Sequence, residues 1–280
     1  MNLSIISVTY NAADQIRTVL NSAKTAVLNI SHEVFVVDNG SSDETVNIVK
    51  HEYPDVKLFE LKHNAGFAAA NNLAAKEARG DFLLFLNPDM RLEPGSLDTI
   101  VNWLSARPDV GIASCKLTER NGGFCQGAKP RRLPHLLDQM MILLKIPHIF
   151  PGVLKKYLYN DFNSDIEQEV DSVRGSFLLM RRSLYEKLGW AFDPRYFIWF
   201  EDVDICRECK KAGLKVVYTP IISCVDFLSQ AFNKVPAMWK QKNFTKSMLV
   251  YFKKWEPWYK WIWIALFRPV AIALTYISGR

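Results

Sequence analysis

Three groups of acidic residues in this 280-residue chain stand where chemistry is possible. The first is Asp89 in FLLFLNPDM (82–90), where five large apolar residues stop at Asn87-Pro88-Asp89. Such a run fits a strand buried on both faces, although the run alone leaves a helix open. Proline has no N–H to donate and ends the ladder, and open α/β sheets bind ligands at the carboxyl ends of their strands. One strand-end carboxylate can serve a hard divalent cation on a diphosphate, because phosphate oxygens and waters fill the other octahedral positions; a plain turn aspartate is the alternative. The second group is VVDNGSSDET (36–45), in which Asp38 ends a strand before a run of small turn residues. Its carboxylate is suited to a base or ribose, or to an Asx-turn and helix cap. The third is FIWFEDVDICRECKKAG (197–213), where Glu201, Asp202 and Asp204 open a helix directly after an aromatic run. Acids in a first turn favour the helix dipole; an aromatic-lined acidic cluster also suits a carboxylate that takes a proton from a hydroxyl. Arg207 stands close enough in sequence to orient an acid or meet a phosphate.

A fourth element, HNAGFAAANNLAA (63–75), places Gly66 and a row of alanines at the start of a helix, with Asn64, Asn71 and Asn72 offering amides near them. Glycine and alanine permit close backbone approach, whereas paired asparagines inside a helix cost propensity with no evident packing gain. A tightly packed helix with an asparagine cap is the structural alternative.

The elements that must position these residues alternate. LSIISVTY (3–10), EVFVVD (33–38), VKLFEL (56–61) and Phe82–Leu86 read as strands, and Ala12–Leu28, Glu44–Glu52 and Phe67–Arg79 as helices. Alternation of this kind argues for βαβ units and a parallel sheet. Further strands are expected at Val110–Lys116, within DSVRGSFLLMRR (171–182) and at LKVVYTP (214–220), the last stopped by Pro220. Helices are expected at Leu133–Ile146 and Glu201–Ala212, with a polar loop at Tyr157–Glu169. The organisation expected is a domain over 1–233, with 1–116 holding the nucleotide and 117–233 completing the site, then a helical tail over 234–280.

Composition agrees with a globular protein: 49% hydrophobic and 23% charged residues. Five scattered cysteines suit reduced thiols, and Cys206-x-x-Cys209 lacks the second pair a zinc site needs. The start of the chain, without a basic region or cleavage site, suggests a cytoplasmic protein. The net charge of +6 is uneven: residues 234–280 carry nine Lys/Arg against Glu256, a local +8, leaving −2 on the preceding 233. Four of the eight tryptophans lie within 255–263, flanked by basic and aliphatic residues. That mixture suits a membrane interface better than nucleic acid. Arg268-Pro269 divides the tail's apolar runs, so neither is expected to reach the ~20 residues of a spanning helix. A monotopic anchor is therefore favoured over a helix packed on the domain.

Taken together, VVDNGSSDET, NAGFAAANN, FLNPDM, GSFLLMRR and FEDVDICRE resemble the family 2 glycosyltransferases, inverting enzymes of the GT-A fold, and among them the bacterial rhamnosyltransferase-like branch. The resemblance runs from about residue 3 to about residue 255. It implies an α/β fold, a Rossmann-like mostly parallel sheet flanked by helices. It also implies that Asp38, Asn64, Gly66 and Asn71, with Thr9, Asn11 and Phe67, border a nucleotide-diphosphate sugar, and that Asn87-Pro88-Asp89 replaces the DxD motif with Asp89 on Mg²⁺ or Mn²⁺. Asp202 becomes the general base, with Glu201, Asp204 and Arg207 in support, and Arg131 and Arg132 of KPRRLP are assigned to the diphosphate or acceptor. Where the family usually shows a histidine after the last strand, SCVDFLSQAF (223–232) offers Asp226, either as a metal ligand in its place or as a sign of altered metal use. The donor implied is dTDP-L-rhamnose and the acceptor a polyprenyl-diphosphate-linked glycan at the cytoplasmic face of the membrane. A UDP-hexose donor and a catalytically weakened binding subunit are the alternatives.

Overall fold

Phe82–Leu86 (β4) is buried at all five positions because it is a central strand with covered faces. The computed structural model describes residues 1–227 and 235–278 and places β4 between Leu3–Thr9 (β1), parallel to it, and Phe177–Arg181 (β8), antiparallel. Outward from β1 follow His32–Asp38 (β2) and Lys57–Glu60 (β3), both parallel. Beyond β8 come Val110–Thr118 (β6), Lys215–Asp226 (β9) and the three-residue Met90–Leu92 (β5), giving the order β3-β2-β1-β4-β8-β6-β9-β5. The short Gln168–Glu169 (β7) pairs with β9. The strands β3, β2, β1 and β4 are thus all parallel, and antiparallel pairs enter with β8, β5 and β7.

β9 does not stop at Pro220, as the proline led one to expect. Its pairing with β6 jumps from Cys115↔Thr219 to Lys116↔Ser223, so three residues bulge out and the ladder needs no N–H from the proline. The strand therefore reaches Asp226 at the same sheet end as Asp89.

Apolar layers cover both faces. Ile16–Ala26 (α1) buries Ile16, Val19, Leu20, Ala23 and Ala26, a 3.6-residue stripe, on one of them; Thr45–Glu52 (α2) and Ser96–Ser105 (α4) join it there. On the other face lies Phe67–Glu77 (α3), whose Ala68, Ala70, Ala74 and Ala75 are fully buried, so small side chains let the helix approach β1 and β2 closely. Leu136–Leu143 (α5), Arg182–Leu188 (α6) and Glu201–Lys211 (α7) complete that layer.

The tail forms two helices, Ala237–Trp255 (α8) and Trp258–Ser278 (α9), packed on one another. α8 is not a detached anchor: Met248, Tyr251 and Phe252 are fully buried in the domain core, each worth about 1.5–3 kcal/mol of hydrophobic stabilisation. α9 runs unbroken through Pro269, against the expectation of two short apolar segments. Contacts on both sides of the proline, from Ile264 and from Ala271, hold it together. Its residues Trp258–Ile277 are long and apolar enough to cross a membrane, and most of that stretch is not buried by the protein. Trp258, Tyr259, Trp263, Leu266 and Tyr276 are exposed.

A buried ionic cluster fastens α8 to α7. Lys254 Nζ lies 2.6 Å from Asp204, 2.9 Å from Glu208 and 3.0 Å from Asp193, and over the rings of Trp190 and Trp255. Burial pushes the Asp193 carboxyl up, but Arg195 and Lys254 outweigh it and hold the group well below the usual range. For Asp204 burial wins, leaving it above the usual range despite Lys254 and the Trp255 indole N–H. Lys254→Ala is expected to lower stability by roughly 3–5 kcal/mol, because it strands buried carboxylates. Urea unfolding reads this loss. Lys254→Met, which keeps the stem, should recover little; full recovery would mean that packing rather than charge holds the cluster.

Candidate active site

Asp38 is fixed from three sides at the end of β2. Its Oδ2 accepts from the backbone N–H groups of Gly40 (3.2 Å) and Ser41 (2.9 Å), and Oδ1 accepts from Thr9 Oγ1 at 3.3 Å. Thr9 is its register partner on β1. Asn11, in the left-handed region at φ 51°, joins the β1 and β2 loops: its N–H donates to Ser41 Oγ and its Oδ1 accepts from the Ser42 N–H, both at 2.8 Å. The Asx-turn is therefore real, and it holds a carboxylate at the sheet's carboxyl edge.

The hub of this edge is Asn39, a buried residue that the sequence reading treated only as part of a turn. Its Nδ2 donates to Asn64 Oδ1 at 3.0 Å, its Oδ1 accepts from the Ala65 N–H at 2.8 Å, and Asn64 Oδ1 also accepts from the Gly66 N–H at 2.9 Å. The chain then passes through Gly66 at φ 90°, where a Cβ would stand 2.5 Å from the Phe197 carbonyl oxygen. Phe67 donates its N–H to that same oxygen at 2.7 Å. Asn71 and Asn72 also find packing roles. Asn71 donates to the Phe67 carbonyl at 2.9 Å and is buried, while Asn72 ties α3 to the backbone of Ala191 and Phe192 through three hydrogen bonds. For Asn72 the propensity cost is thus offset by partners about 120 residues away, which local sequence does not reveal.

Residues 174–176 bridge the two remaining acidic groups. The Ser176 carbonyl accepts from the Asn87 N–H at 3.0 Å, and the Gly175 N–H donates to Asp202 Oδ2 at 3.2 Å. The Gly175 α-carbon faces both Asp202 and the Phe67 ring, since a Cβ there would lie 3.5 Å from each. Asp202 Oδ1 accepts from its neighbour Val203 N–H at 2.8 Å. Asp89, buried just past β4, and Asp226, buried at the end of β9, meet on adjacent chains: Met90 pairs with Asp226, and the Phe227 N–H donates to the Asp89 carbonyl at 3.0 Å. Arg120 stacks on Phe227 at 4.7 Å, a cation the sequence reading missed. Two hard oxygen donors at one sheet end fit Mg²⁺ or Mn²⁺ completed by phosphate and water. Among the described residues no group of three or more His, Cys, Asp or Glu gathers into a metal cage.

The acids of α7 divide by face. Trp199 and Phe200, both in the left-handed region at φ 65° and 68°, turn the chain into the helix, a conformation that costs free energy in bulky residues. Packing from Phe244 and Tyr251 holds it there. Asp204 and Arg207 point to the tail: Asp204 into the Lys254 cluster, Arg207 to Tyr251 Oη at 3.0 Å and Glu256 at 3.4 Å. Arg207 is thus bonded to the tail rather than to Asp202. Arg132 stacks on Tyr159 at 3.6 Å and lies 4.0 Å from Asp171, and Arg131 pairs through its backbone with Ser172. The rest of SCVDFLSQAF beyond Phe227 lies outside the described residues.

Glu201 is buried, and its Oε2 has no hydrogen-bond partner. Burial first, and the adjacent Asp202 charge second, push its carboxyl well above the usual range. Of the two neighbouring acids, Asp202 is the partly exposed one.

The family model for glycosyl transferase family 2 matches residues 4–189. The chain belongs to this family. The match ends before α7, so geometry, through Gly175 and Phe197, is what brings Asp202 into the site. Among curated proteins, the N-acetylglucosaminyl-diphospho-decaprenol L-rhamnosyltransferase of Mycobacterium tuberculosis is 28% identical over 84% of this chain and 79% of its own. Rhamnosyltransferase WbbL of Escherichia coli is 26% identical over 80% and 82%. The fold is shared with the mannosyltransferase PcManGT of Pyrobaculum calidifontis, solved with GDP-Man and Mn²⁺ (TM-score 0.59, 19% identity, 100% of this chain and 76% of that one). It is also shared with S. aureus TarS 1-349 in complex with UDP-GlcNAc (TM-score 0.59, 20% identity), over 89% of this chain and 65% of that one. The protein is a GT-A glycosyltransferase with rhamnosyltransferase relatives.

Because burial raises the Glu201 carboxyl in the folded protein, stability should fall as pH rises from its unfolded value of about 4.3 toward its raised folded value, the folded state binding the extra proton in that window. Glu201→Gln lacks this dependence. Its stability relative to wild type should therefore improve with rising pH, read by urea unfolding across the range; a difference constant with pH would contradict the raised carboxyl.

Proposed function

We propose that this family 2 glycosyltransferase is a metal-dependent inverting enzyme that moves L-rhamnose from dTDP-L-rhamnose to a polyprenyl-diphosphate-linked glycan at the cytoplasmic face of the membrane. The observation that carries the reading is the 174–176 bridge: one short segment fixes Asp202 through Gly175 and the Asn87-Pro88-Asp89 turn through Ser176. A proton-accepting carboxylate and a strand-end acid thus share one floor. The relatives' names support the sugar and the lipid-linked acceptor, and the Mn²⁺ and nucleotide sugar of the PcManGT complex support the cofactor class.

In this mechanism Asp38, Thr9 and Asn11 border the base and ribose, and Asn64, Gly66 and Phe67 form the wall beside the donor, with Asn71 behind it. Asp202, oriented by the Gly175 and Val203 N–H groups, accepts the acceptor hydroxyl's proton. That oxygen bonds to the anomeric carbon as the carbon's bond to the diphosphate breaks, inverting its configuration. Protonated Glu201 adds no second negative charge beside the base. A bound Mg²⁺ or Mn²⁺, held by Asp89 with Asp226 beside it, would neutralise charge on the departing diphosphate. Arg120 stands near that sheet end as a further cation, while Arg131 and Arg132 are assigned to the acceptor side. The tail, residues 234–280, associates with the membrane as a peripheral or monotopic element through the exposed aromatic face of α9.

Mass spectrometry of a GlcNAc-diphosphate-lipid acceptor, incubated with dTDP-L-rhamnose or UDP-hexoses and Mg²⁺ or Mn²⁺, tests this. The expected result is deoxyhexose transfer from dTDP-L-rhamnose alone, reduced by about 10²–10⁴-fold in Asp202→Asn with nucleotide binding intact by calorimetry. Asp89→Asn should instead weaken metal-dependent nucleotide binding. Transfer from a UDP-hexose would replace the donor, and undiminished transfer by Asp202→Asn would remove the base.

A further inference from the structure

The two tail helices enclose an apolar groove of about 990 Å³ that neither the domain core nor the donor site uses. Its walls come from single faces: Met238, Lys242 and Leu249 on α8, and Arg268, Ile272 and Tyr276 on α9, at helical spacings. The volume lies at the upper end of the about 300–1,000 Å³ common for small-molecule sites. Two cations stand in this apolar lining, one from each helix. Neither Lys242 nor Arg268 has a carboxylate partner among the described residues, and Arg268 is steadied by a hydrogen bond from its Nε to Thr245 Oγ1 at 3.3 Å. An apolar trough with two uncompensated cations is complementary to one kind of molecule: a long hydrocarbon chain bearing a phosphate.

The groove's position selects among such molecules. On another face of the same two helices a smaller recess of about 330 Å³ is bounded by Trp199, Lys240, Phe244 and Thr275. Trp199 is three residues before Asp202, and the adjacent Ile198 carbonyl accepts a hydrogen bond from Ser247 Oγ of α8 at 2.7 Å. A bulk phospholipid in the groove gains nothing from this tie between α8 and the segment that carries Asp202. An acceptor lipid does, since its phosphate end has to reach that segment.

We propose that the α8–α9 groove is the seat of the acceptor's isoprenoid chain, with Lys242 and Arg268 on its phosphate and Trp199 at the passage to Asp202. The inference rests on the lipid-linked acceptor of the proposed function and adds the place where that lipid sits. It gives the tail a part in substrate selection as well as in membrane association.

The test uses the full chain and two acceptors with the same GlcNAc-diphosphate head, one on a long isoprenoid and one on a short water-soluble alkyl group. Ala273→Trp fills the groove from its exposed rim, and Lys242→Glu with Arg268→Glu reverses its charge. Ala273→Trp should raise KM for the long-chain acceptor by about tenfold or more and leave kcat and the short-chain KM unchanged, whereas the charge reversal should raise KM for both acceptors, which share the diphosphate, by about tenfold or more, the scale of losing charge-assisted contacts. Equal effects of Ala273→Trp on both acceptors, or no effect of the charge reversal on either, would overturn the proposal. A second readout needs no turnover: a benzophenone-tagged polyprenyl phosphate should crosslink to residues 265–277, competed by untagged polyprenyl phosphate and not by phosphatidylglycerol vesicles. Equal competition by phosphatidylglycerol would make the groove a general phospholipid site, and crosslinks elsewhere would dismiss it. Wild-type failure to glycosylate either acceptor, with crosslinking intact, would instead count against the proposed function alone.

Discussion

The contact between Gly66-Phe67 and the Phe197 carbonyl is the constraint on which the site depends. The residues proposed to border the donor's nucleotide lie on loops of the parallel half, and Asp202, the proposed base, lies on α7, more than a hundred residues later. One hydrogen bond of 2.7 Å, at a place where even a methyl group would collide with the carbonyl oxygen, joins them. The left-handed turn at Trp199-Phe200 follows from this closeness, because the chain must leave Phe197 and enter α7 within three residues. Neither aromatic residue would hold that backbone by itself. The rings of Trp239, Phe244 and Tyr251 press against them from α8, so a strained segment of the site is secured by the tail.

The same dependence organises charge. α7 begins with three acids in four residues, an arrangement that would repel itself if all were ionised and close. Each acid has a different solution. Glu201 is buried, which raises its carboxyl, Asp204 is buried against Lys254 and Trp255, and Asp202 faces Gly175 at the partly open surface. Helix periodicity makes the separation possible by turning neighbouring residues to different faces. What looks in sequence like one acidic cluster is one partly exposed carboxylate beside two buried ones.

How much of this the sequence disclosed follows the range of the interactions. Strands β1 to β4 and their helices were legible because each is set by local periodicity, and Asp38 and Asp89 were found because strand ends are marked by turn residues. Helix α4 was passed over although Leu97, Ile100, Val101 and Leu104 carry a helical stripe after Pro94-Gly95. Strand β5 was not legible at all, since three residues form a strand only because β9 reaches them. Pro220 and Pro269 misled for one reason: proline's local penalty was read without the bulge or the helix packing that absorbs it. The purposes of Asn39, Asn72 and Gly175 each require a partner distant in sequence, and no spacing rule points to one.

The tail shows where composition and structure part. Its charge and tryptophans suggested a separable anchor, and α9 does expose an apolar face. α8 nevertheless belongs to the interior, contributing Met248, Tyr251 and Phe252 to the core and Lys254 to the one cluster that balances Asp193, Asp204 and Glu208. Without it, buried aromatics would be exposed and buried carboxylates stranded on the helix that carries Asp202. Displacements of α8 are therefore felt at α7, because charges in a low-dielectric interior permit few alternative arrangements. A tail built in this way ties the geometry of the base to whatever α9 touches.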